Sequence, residues 1–361
     1  MKKVILFIIG LTFLASCLSQ ALTTEVPGIL DLINDQNFVY LQSTQRPTEL
    51  FLFSQSKRNS TQLTTSAGKI FDYDILQGRK GVLYSVINDL NGADIWYLDF
   101  KTLVTNLLVD CGVDTCSSPR SSPTGEIFSY LRGSFSSDQP NFEKNTVIRL
   151  FNLSQLEEIS LEKAVTLSGS TVLWSPDGDK FAYYSFKPAG IRIIDTHGNE
   201  MLTMSGTPVT SGFGWGRDSD YFYFLMDEIS DDLPITILEQ VYIPEKRFQR
   251  LSIELAEDEV INGLKVSAQN GLFLLNVRTS SVLPGQKMVI YDSKKQTIIA
   301  ETDDPNVSYG NISWSADGHS VLFQRYAFNQ TSARPEVGIW NYSDNKLEIY
   351  ATDAFMPKWL Y

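Results

Sequence analysis

Little in this sequence could run acid–base or nucleophilic chemistry near neutral pH. There are two histidines, His197 in "DTHGNE" and His319 in "ADGHSV". Each lies beside a glycine in a hairpin-like turn, where a side chain faces solvent, so neither reads as the base of a Ser-His-Asp hydrolase. No G-x-S-x-G elbow is present to hold a nucleophilic serine. Paired carboxylates could cleave a glycosidic bond if they met at roughly 5 to 9.5 Å, but 42 acidic residues offer many pairs and no spacing singles one out. The run "MDEISDDLP" (Asp227, Glu228, Asp231, Asp232) and the run "NDLNGAD" (Asn88 to Asp94) carry oxygen ligands of the kind calcium takes. Both lack the spacing of a known calcium loop and read as solvated acidic loops. No catalytic set, metal or cofactor is expected.

The cysteines divide by position. Cys111 and Cys116, in "VDCGVDTCSSP", are an even pair that reads as a disulfide closing a small loop. Zinc would need more ligands than two cysteines, and both histidines are distant in sequence. The spacing also differs from a redox C-x-x-C. Cys17 belongs to the leader "MKKVILFIIGLTFLASCLSQ". There, two lysines precede an apolar run from Val4 to Ala15, too short for a bilayer span of about 20 residues but suited to a secretory signal. The segment "LASC" resembles the bacterial lipobox, which implies cleavage before Cys17 and lipidation of that cysteine. An ordinary signal cut near Ala21 is the alternative.

The expected organisation is a signal over residues 1–16, a tether and lead-in over 17–36, and one domain over 37–361. The protein would be exported and anchored at the outer face of a membrane through Cys17 alone, or secreted if the lipobox is not used. Losing Lys2 and Lys3 leaves 28 basic against 42 acidic residues and moves the net charge from -12 to -14. Such a surface repels phosphate backbones, so nucleic acid is not an expected partner.

The elements that must carry any site are legible as a repeat. "VLWSPDGDKFAYYS" from Val172 and "ISWSADGHSVLFQR" from Ile312 share Trp-Ser-x-Asp-Gly ahead of an apolar run. "GWGRDSDYFYFL" from Gly214 keeps the tryptophan and a turn aspartate, and "RSSPTGEIFSYL" from Arg120 keeps the turn without the tryptophan. "GLKVSAQNGLFLLNV" from Gly263 and "FDYDILQGRKGVLYSV" from Phe71 are weaker copies. Asp-Gly and Asn-Gly favour tight hairpins because glycine accepts positive φ at low cost. Runs such as "FAYY" and "YFYFL" are apolar at consecutive positions, so both faces of the strand are covered. Trp174 to Trp215 spans 41 residues and Trp215 to Trp314 spans 99, about two periods. Four strands per period of about 40 to 50 residues make a β-propeller. Trp174, Asp177, Gly178, Trp215, Trp314, Asp317, Gly318 and Trp359 are assigned structural work: turns, their support, and packing between blades.

The unit Trp-Ser-Pro-Asp-Gly, strand, strand-Asp-x-x-Gly resembles the repeat of TolB-like propellers. The closing "FMPKWLY" places Trp359 45 residues after Trp314, one more period. The last strand is therefore expected to complete a first blade over 37–66, with further blades starting near 71, 121, 171, 212, 262 and 311. That is an all-β fold of seven blades; six is the alternative if the Phe71 segment is irregular. The prolyl oligopeptidases, whose catalytic domain such propellers cap, carry a further α/β domain for which this chain has no residues to spare. The resemblance implies a monomeric, non-catalytic binding module of the cell envelope. Its blade loops and channel mouth would bind a protein, peptide or glycan. A glycan-active hydrolase with acidic residues at the channel mouth is the alternative.

Overall fold

The computed structural model describes residues 36–360, apart from 44–47, 67–68, 135–145, 162–165, 207, 231–232, 257–258, 279–284 and 329–333. The leader, Cys17, the tether up to residue 35, Asp231 and Asp232 lie outside the described residues. Within them the chain is all-β, with one short 3-10 turn.

The strands form four-stranded antiparallel groups in sequence order. β1 (Phe38–Ser43), β2 (Thr48–Ser54) and β3 (Asn59–Gln62) begin the first. The second is β4 (Ile70–Leu76), β5 (Gly81–Ile87), β6 (Ala93–Asp99) and β7 (Thr105–Val109). The third is β8 (Thr115–Ser121), β9 (Ile127–Gly133), β10 (Thr146–Asn152) and β11 (Glu157–Ile159). A single parallel bridge, Ala93 to Thr115, links the second group to the third. The fourth is β12 (Gly169–Trp174), β13 (Lys180–Phe186), β14 (Ala189–Asp195) and β15 (Glu200–Ser205). The fifth is β16 (Pro208–Trp215), β17 (Tyr221–Ser230), β18 (Leu233–Tyr242) and β19 (Arg247–Leu251). The sixth is β20 (Val260–Val266), β21 (Leu272–Arg278), β22 (Gln286–Asp292) and β23 (Thr297–Glu301). The seventh is β24 (Val307–Trp314), β25 (Ser320–Ala327), β26 (Glu336–Asn341) and β27 (Lys346–Thr352). The final strand, β28 (Ala354–Trp359), pairs antiparallel with β1, placing Phe38 opposite Trp359.

The weak segment near Phe71 forms a regular group. Its first hairpin turns through Gln77–Arg79, where Gly78 takes φ 74° in place of an Asp-Gly turn. In the clear repeats the turn glycines Gly178 (φ 79°) and Gly318 (φ 71°) sit in the left-handed region that favours glycine. The Ser175 hydroxyl donates to Asp177, and the Ser315 hydroxyl donates to Asp317 over 2.6 Å, so the turn aspartates are held by the preceding serines.

The first strands begin one to six residues ahead of the sequence-read starts, and several of them carry an irregularity. Pairing slips between Ser117 and Arg120, between Ser170 and Leu173, and between Gly310 and Ser313. The bulged residues Ser118, Thr171, Asn311 and Met356 hold φ between 45° and 54°. A bulge bends the strand and re-aims the side chains that follow it.

The core lies between sheets. Leu50 and Leu52 pack with Tyr73 and Val82 in one cluster, and Phe222 and Phe224 with Ile193 in another. Phe38, Tyr40 and Trp359 meet Leu322, Val337 and Ile339 in a third, so the last sheet packs on the first. The first strands also touch in cyclic order: β4 on β8, β8 on β12, β12 on β16, β16 on β20, β20 on β24, β24 on β28 and β28 on β4.

Candidate functional site

A hydrogen-bond ladder fixes what the first strands place at their meeting point. The Trp174 indole N–H donates to the Arg120 carbonyl at 3.1 Å, and Trp215 to Leu173 at 3.0 Å. Trp314 donates to Lys265 at 3.1 Å, and Trp359 to Ser313 at 3.4 Å. Each acceptor is the residue just before the tryptophan, or its counterpart, in the preceding sheet. The counterparts follow from the turn: the amides of Ser122, Ser175, Gly216, Ser267 and Ser315 each donate to the carbonyl five residues on. The column just before the tryptophan position therefore reads Arg120, Leu173, Gly214, Lys265, Ser313 and Lys358. The strand register adds Asp74, which faces Leu83 as Leu173 faces Ala182.

This column gathers charge from strands far apart in sequence. Lys358 Nζ lies 2.6 Å from Asp74 Oδ1, and the other oxygen of Asp74 accepts the Ser121 amide at 2.8 Å. Arg120 lies 3.6 Å from Asp72. Lys358 also stands over the Tyr73 ring at 5.5 Å, while the Tyr73 hydroxyl donates to the Val39 and Met356 carbonyls. Burial, with Asp74 and Asp72 nearby, pushes the Tyr73 phenol well up from its ordinary value.

Lys265 is the odd member. Among the described residues its ammonium has no hydrogen-bond or ion-pair partner. Burial foremost, then Arg120 and Lys358, push its pKa down to about 8. The side chain is reached by water yet surrounded by protein. Water reaching the side chain partly screens its charge. Burial and Arg120 lower the pKa of Lys358 as well, against the opposing pull of Asp74 and Asp72. Three cations thus share the centre with two carboxylates, each of which already has a cationic neighbour.

Trp174, Trp215, Trp314 and Trp359 are buried rungs of the ladder. Asp177 pairs with Lys180 at 2.8 Å, and Lys180 covers the Trp215 ring at 5.8 Å. His197 and His319 are exposed in hairpin turns, their amides donating to Asp195 and Asp317. Cys111 and Cys116 are joined, with Cα atoms 6.2 Å apart. In the acidic runs, Asp94 accepts the Cys111 amide at 2.9 Å and Glu228 pairs with Arg250 at 2.8 Å. No cluster of three or more potential metal ligands occurs among the described residues. A surface hollow of about 370 Å³ beside Phe53 and Tyr350 is spanned by an Arg58–Glu348 ion pair and lies apart from the central charges.

The central residues Asp72, Asp74, Arg120, Lys265 and Lys358 were not singled out in the sequence. The available signal was the column itself: the residue before the tryptophan is charged in "PKW", and its counterparts are charged in "LKV", "PRS" and "YDI".

No family model matches the chain, and no curated protein matches it in sequence. Solved structures do. A prolyl endopeptidase aligns with TM-score 0.63 at 12% identity over 90% of this chain and 49% of its own. This chain therefore spans about half the length of that relative. An oligogalacturonate lyase in complex with manganese aligns with TM-score 0.63 at 12% identity, over 85% of this chain and 86% of its own. TolB from Acinetobacter baumannii aligns at 0.48 and 17% identity, over 94% of this chain and 88% of its own. At these identities the likeness concerns the fold alone: all-β, built of propeller-like four-stranded antiparallel sheets.

Proposed function

We propose that the chain is an exported, non-catalytic binding module: a seven-bladed β-propeller over residues 37–361, closed by β28 and anchored through lipidated Cys17. Cyclic contact of the first strands and the β28–β1 pairing support the closed ring. The central charges then stand in its channel, near the face that carries the Asp-Gly turns, since each column residue lies two positions before its turn. One observation carries the binding reading. The channel holds an unpaired ammonium beside two further cations, while its carboxylates are tied to cations rather than placed as a free acid–base pair. Charge that is fixed but uncompensated recruits a ligand. The repeat's resemblance to TolB-like propellers supports an envelope protein as partner to a monomer, with the blade loops on a rigid scaffold as the contact surface.

The test is crosslinking of the tagged, lipidated chain in its native envelope, read by mass spectrometry beside a Lys265→Glu variant. One or two proteins enriched by the parent and lost with the variant support the reading. Release of reducing ends from envelope or plant polysaccharides by the pure protein would overturn it in favour of a glycan hydrolase. For the anchor, Cys17→Ala should move the protein from the membrane to the soluble fraction; a variant that stays membrane-bound removes lipidation from the account.

A further inference from the structure

Each sheet passes from its third strand to its fourth through a short turn in which one residue holds a left-handed backbone. In the first, fourth, fifth, sixth and seventh sheets that residue is Arg58 (φ 50°), Gly198 (φ 88°), Lys246 (φ 52°), Gln296 (φ 55°) and Asn345 (φ 51°). In the second and third it is Leu103 and Leu156, both at φ 56°. A bulky apolar side chain is an uncommon and strained choice at positive φ. Packing does not offset the strain. Leu103 is 38% exposed, Leu156 is 66% exposed, and Val104 beside Leu103 is 52% exposed.

These turns lie on the face where the chain enters the domain. Neighbouring strands alternate in direction, so third strands end on the same side as first strands, the side of the Asp-Gly turns. Phe38 opens β1 opposite Trp359 on that side. Asn37, just before it, accepts the Gln55 amide at 2.9 Å, and Gln55 belongs to the first sheet's own third-to-fourth turn. The chain before Gln36, Cys17 included, therefore joins the domain beside the first sheet, one sheet from Leu103 and two from Leu156. Exposed lysines border the same turns: Lys57 in the first, Lys101 in the second, and Lys80, whose carbonyl accepts the Phe100 amide at 3.1 Å.

We propose that the rims of the second and third sheets rest on the lipid surface that holds Cys17. Leu103, Val104 and Leu156 enter the boundary between headgroups and acyl chains, and Lys57, Lys80 and Lys101 face anionic headgroups. This deepens the lipid-anchor part of the proposed function and rests on it. A lipid surface takes separate aliphatic tips without a matching pocket, and it is the surface to which the entry point of the chain brings this face. A tether over 17–35 reaches on the order of tens of ångströms when extended, so the sheets themselves must set the orientation. Three aliphatic side chains are too few to hold a protein alone and act as the second of two signals beside the lipid. The lysines supply an attraction that the acidic remainder of the chain lacks. Resting on the second and third sheets lifts the fifth and sixth, which leaves the central charges open to a partner.

The test uses the full chain with vesicles of phosphatidylethanolamine and phosphatidylglycerol. An environment-sensitive fluorophore is placed on Gln155→Cys, beside Leu156, or on Lys295→Cys, the matching position beside Gln296. The label at 155 should brighten by about twofold or more and be quenched by lipids spin-labelled about 5–10 Å deep, the depth that interfacial apolar faces reach. The label at 295 should do neither. Leu103→Asn with Leu156→Asn should abolish most of the response at 155 without lowering the melting temperature, since asparagine takes positive φ more readily than leucine. Equal responses at 155 and 295, a response that survives the asparagine pair, or a silent label at 155 on a chain that floats with the vesicles would overturn the docking and leave the anchor standing. Shielding of the 155 label by rising protein concentration without vesicles would assign the patch to a second copy and overturn it as well. If mass spectrometry of the native chain shows Cys17 without lipid, the anchor falls. The docking then stands if the unlipidated chain in excess lipid is quenched at 155 and not at 295, and falls with the anchor if it is not.

Discussion

Lys358 and Asp74 meet at 2.6 Å although 284 positions separate them, tying the last strand of the chain to the first strand of the second sheet. Lys358 belongs to β28, which pairs with β1, so one side chain links the first and second sheets across their inner strands. Its removal leaves Asp74 with the Ser121 amide but without a counter-ion. The pair is about one quarter and one fifth open to water, at 25% and 19%, so the loss falls below that of a fully buried pair. Lys358→Ala should destabilise by about 1–2 kcal/mol in urea melts. Deleting 355–361, which also takes out Trp359 and Leu360, should abolish the cooperative transition. An unchanged midpoint for the deletion would mean that the fold does not depend on β28.

The indole ladder makes a second, graded expectation. Trp215→Phe keeps most of the ring packing against Phe222, whose centroid is 4.9 Å away, but removes the N–H to the Leu173 carbonyl. The cost should be about 1 kcal/mol. Trp215→Ala should cost about 3–5 kcal/mol through lost contacts and a cavity. A phenylalanine variant as stable as the parent would show that the tryptophans act by volume alone.

The ladder also explains what could be read from the sequence. The period, the turns and the last strand were legible because they repeat in residue type: Trp174, Asp177 and Gly178 recur as Trp314, Asp317 and Gly318, and Trp174 again as Trp359. The strand starts were less legible. The bulges at Ser118, Thr171, Asn311 and Met356 use four different residue types, so a backbone feature common to the repeat leaves no common letter. The site was hidden for a related reason. A position in this column is free to vary from sheet to sheet, and a column reading Asp74, Arg120, Leu173, Gly214, Lys265, Ser313, Lys358 has no consensus. Its meaning comes from convergence of strands, which only the fold supplies.

Lys265 makes stability depend on pH with a definite sign. Its folded-state pKa of about 8 lies below the unfolded value of about 10.4. Below pH 8 it is charged in both states, and the folded protein carries the full penalty of holding that charge near Arg120 and Lys358. Between about 8 and 10.4 the folded form loses the proton first, and the penalty fades. Lys265→Met should therefore be more stable than the parent at pH 7, by about 1 kcal/mol once solvent screening of this water-exposed side chain is allowed for. The difference should shrink toward pH 10. A variant less stable than the parent at pH 7 would mean that the ammonium makes a favourable contact in the free protein.

The disulfide acts on a loop that is already held. Asp94 accepts the Cys111 amide at 2.9 Å and an Asn88 side-chain N–H at 3.0 Å, and Asn88 also donates to the Gly112 carbonyl at 2.8 Å. Joining Cys111 to Cys116 closes a ring with a sequence separation of 5, so the chain entropy removed from the unfolded state is small, about 2 kcal/mol on the loop-closure relation. The anchored backbone should keep the native loop in place without the bond. Cys111→Ser with Cys116→Ser should thus fold, with its melting temperature lowered by a few degrees, and still show protection of the Cys111 amide in hydrogen exchange. Asp94→Ala should do the reverse, loosening the loop while the bond remains. Non-reducing peptide mapping should recover the two cysteines as one linked species. Free thiols at both positions would remove the bond from the native state and leave the loop to its hydrogen bonds, those of Asp94 and Asn88 among them.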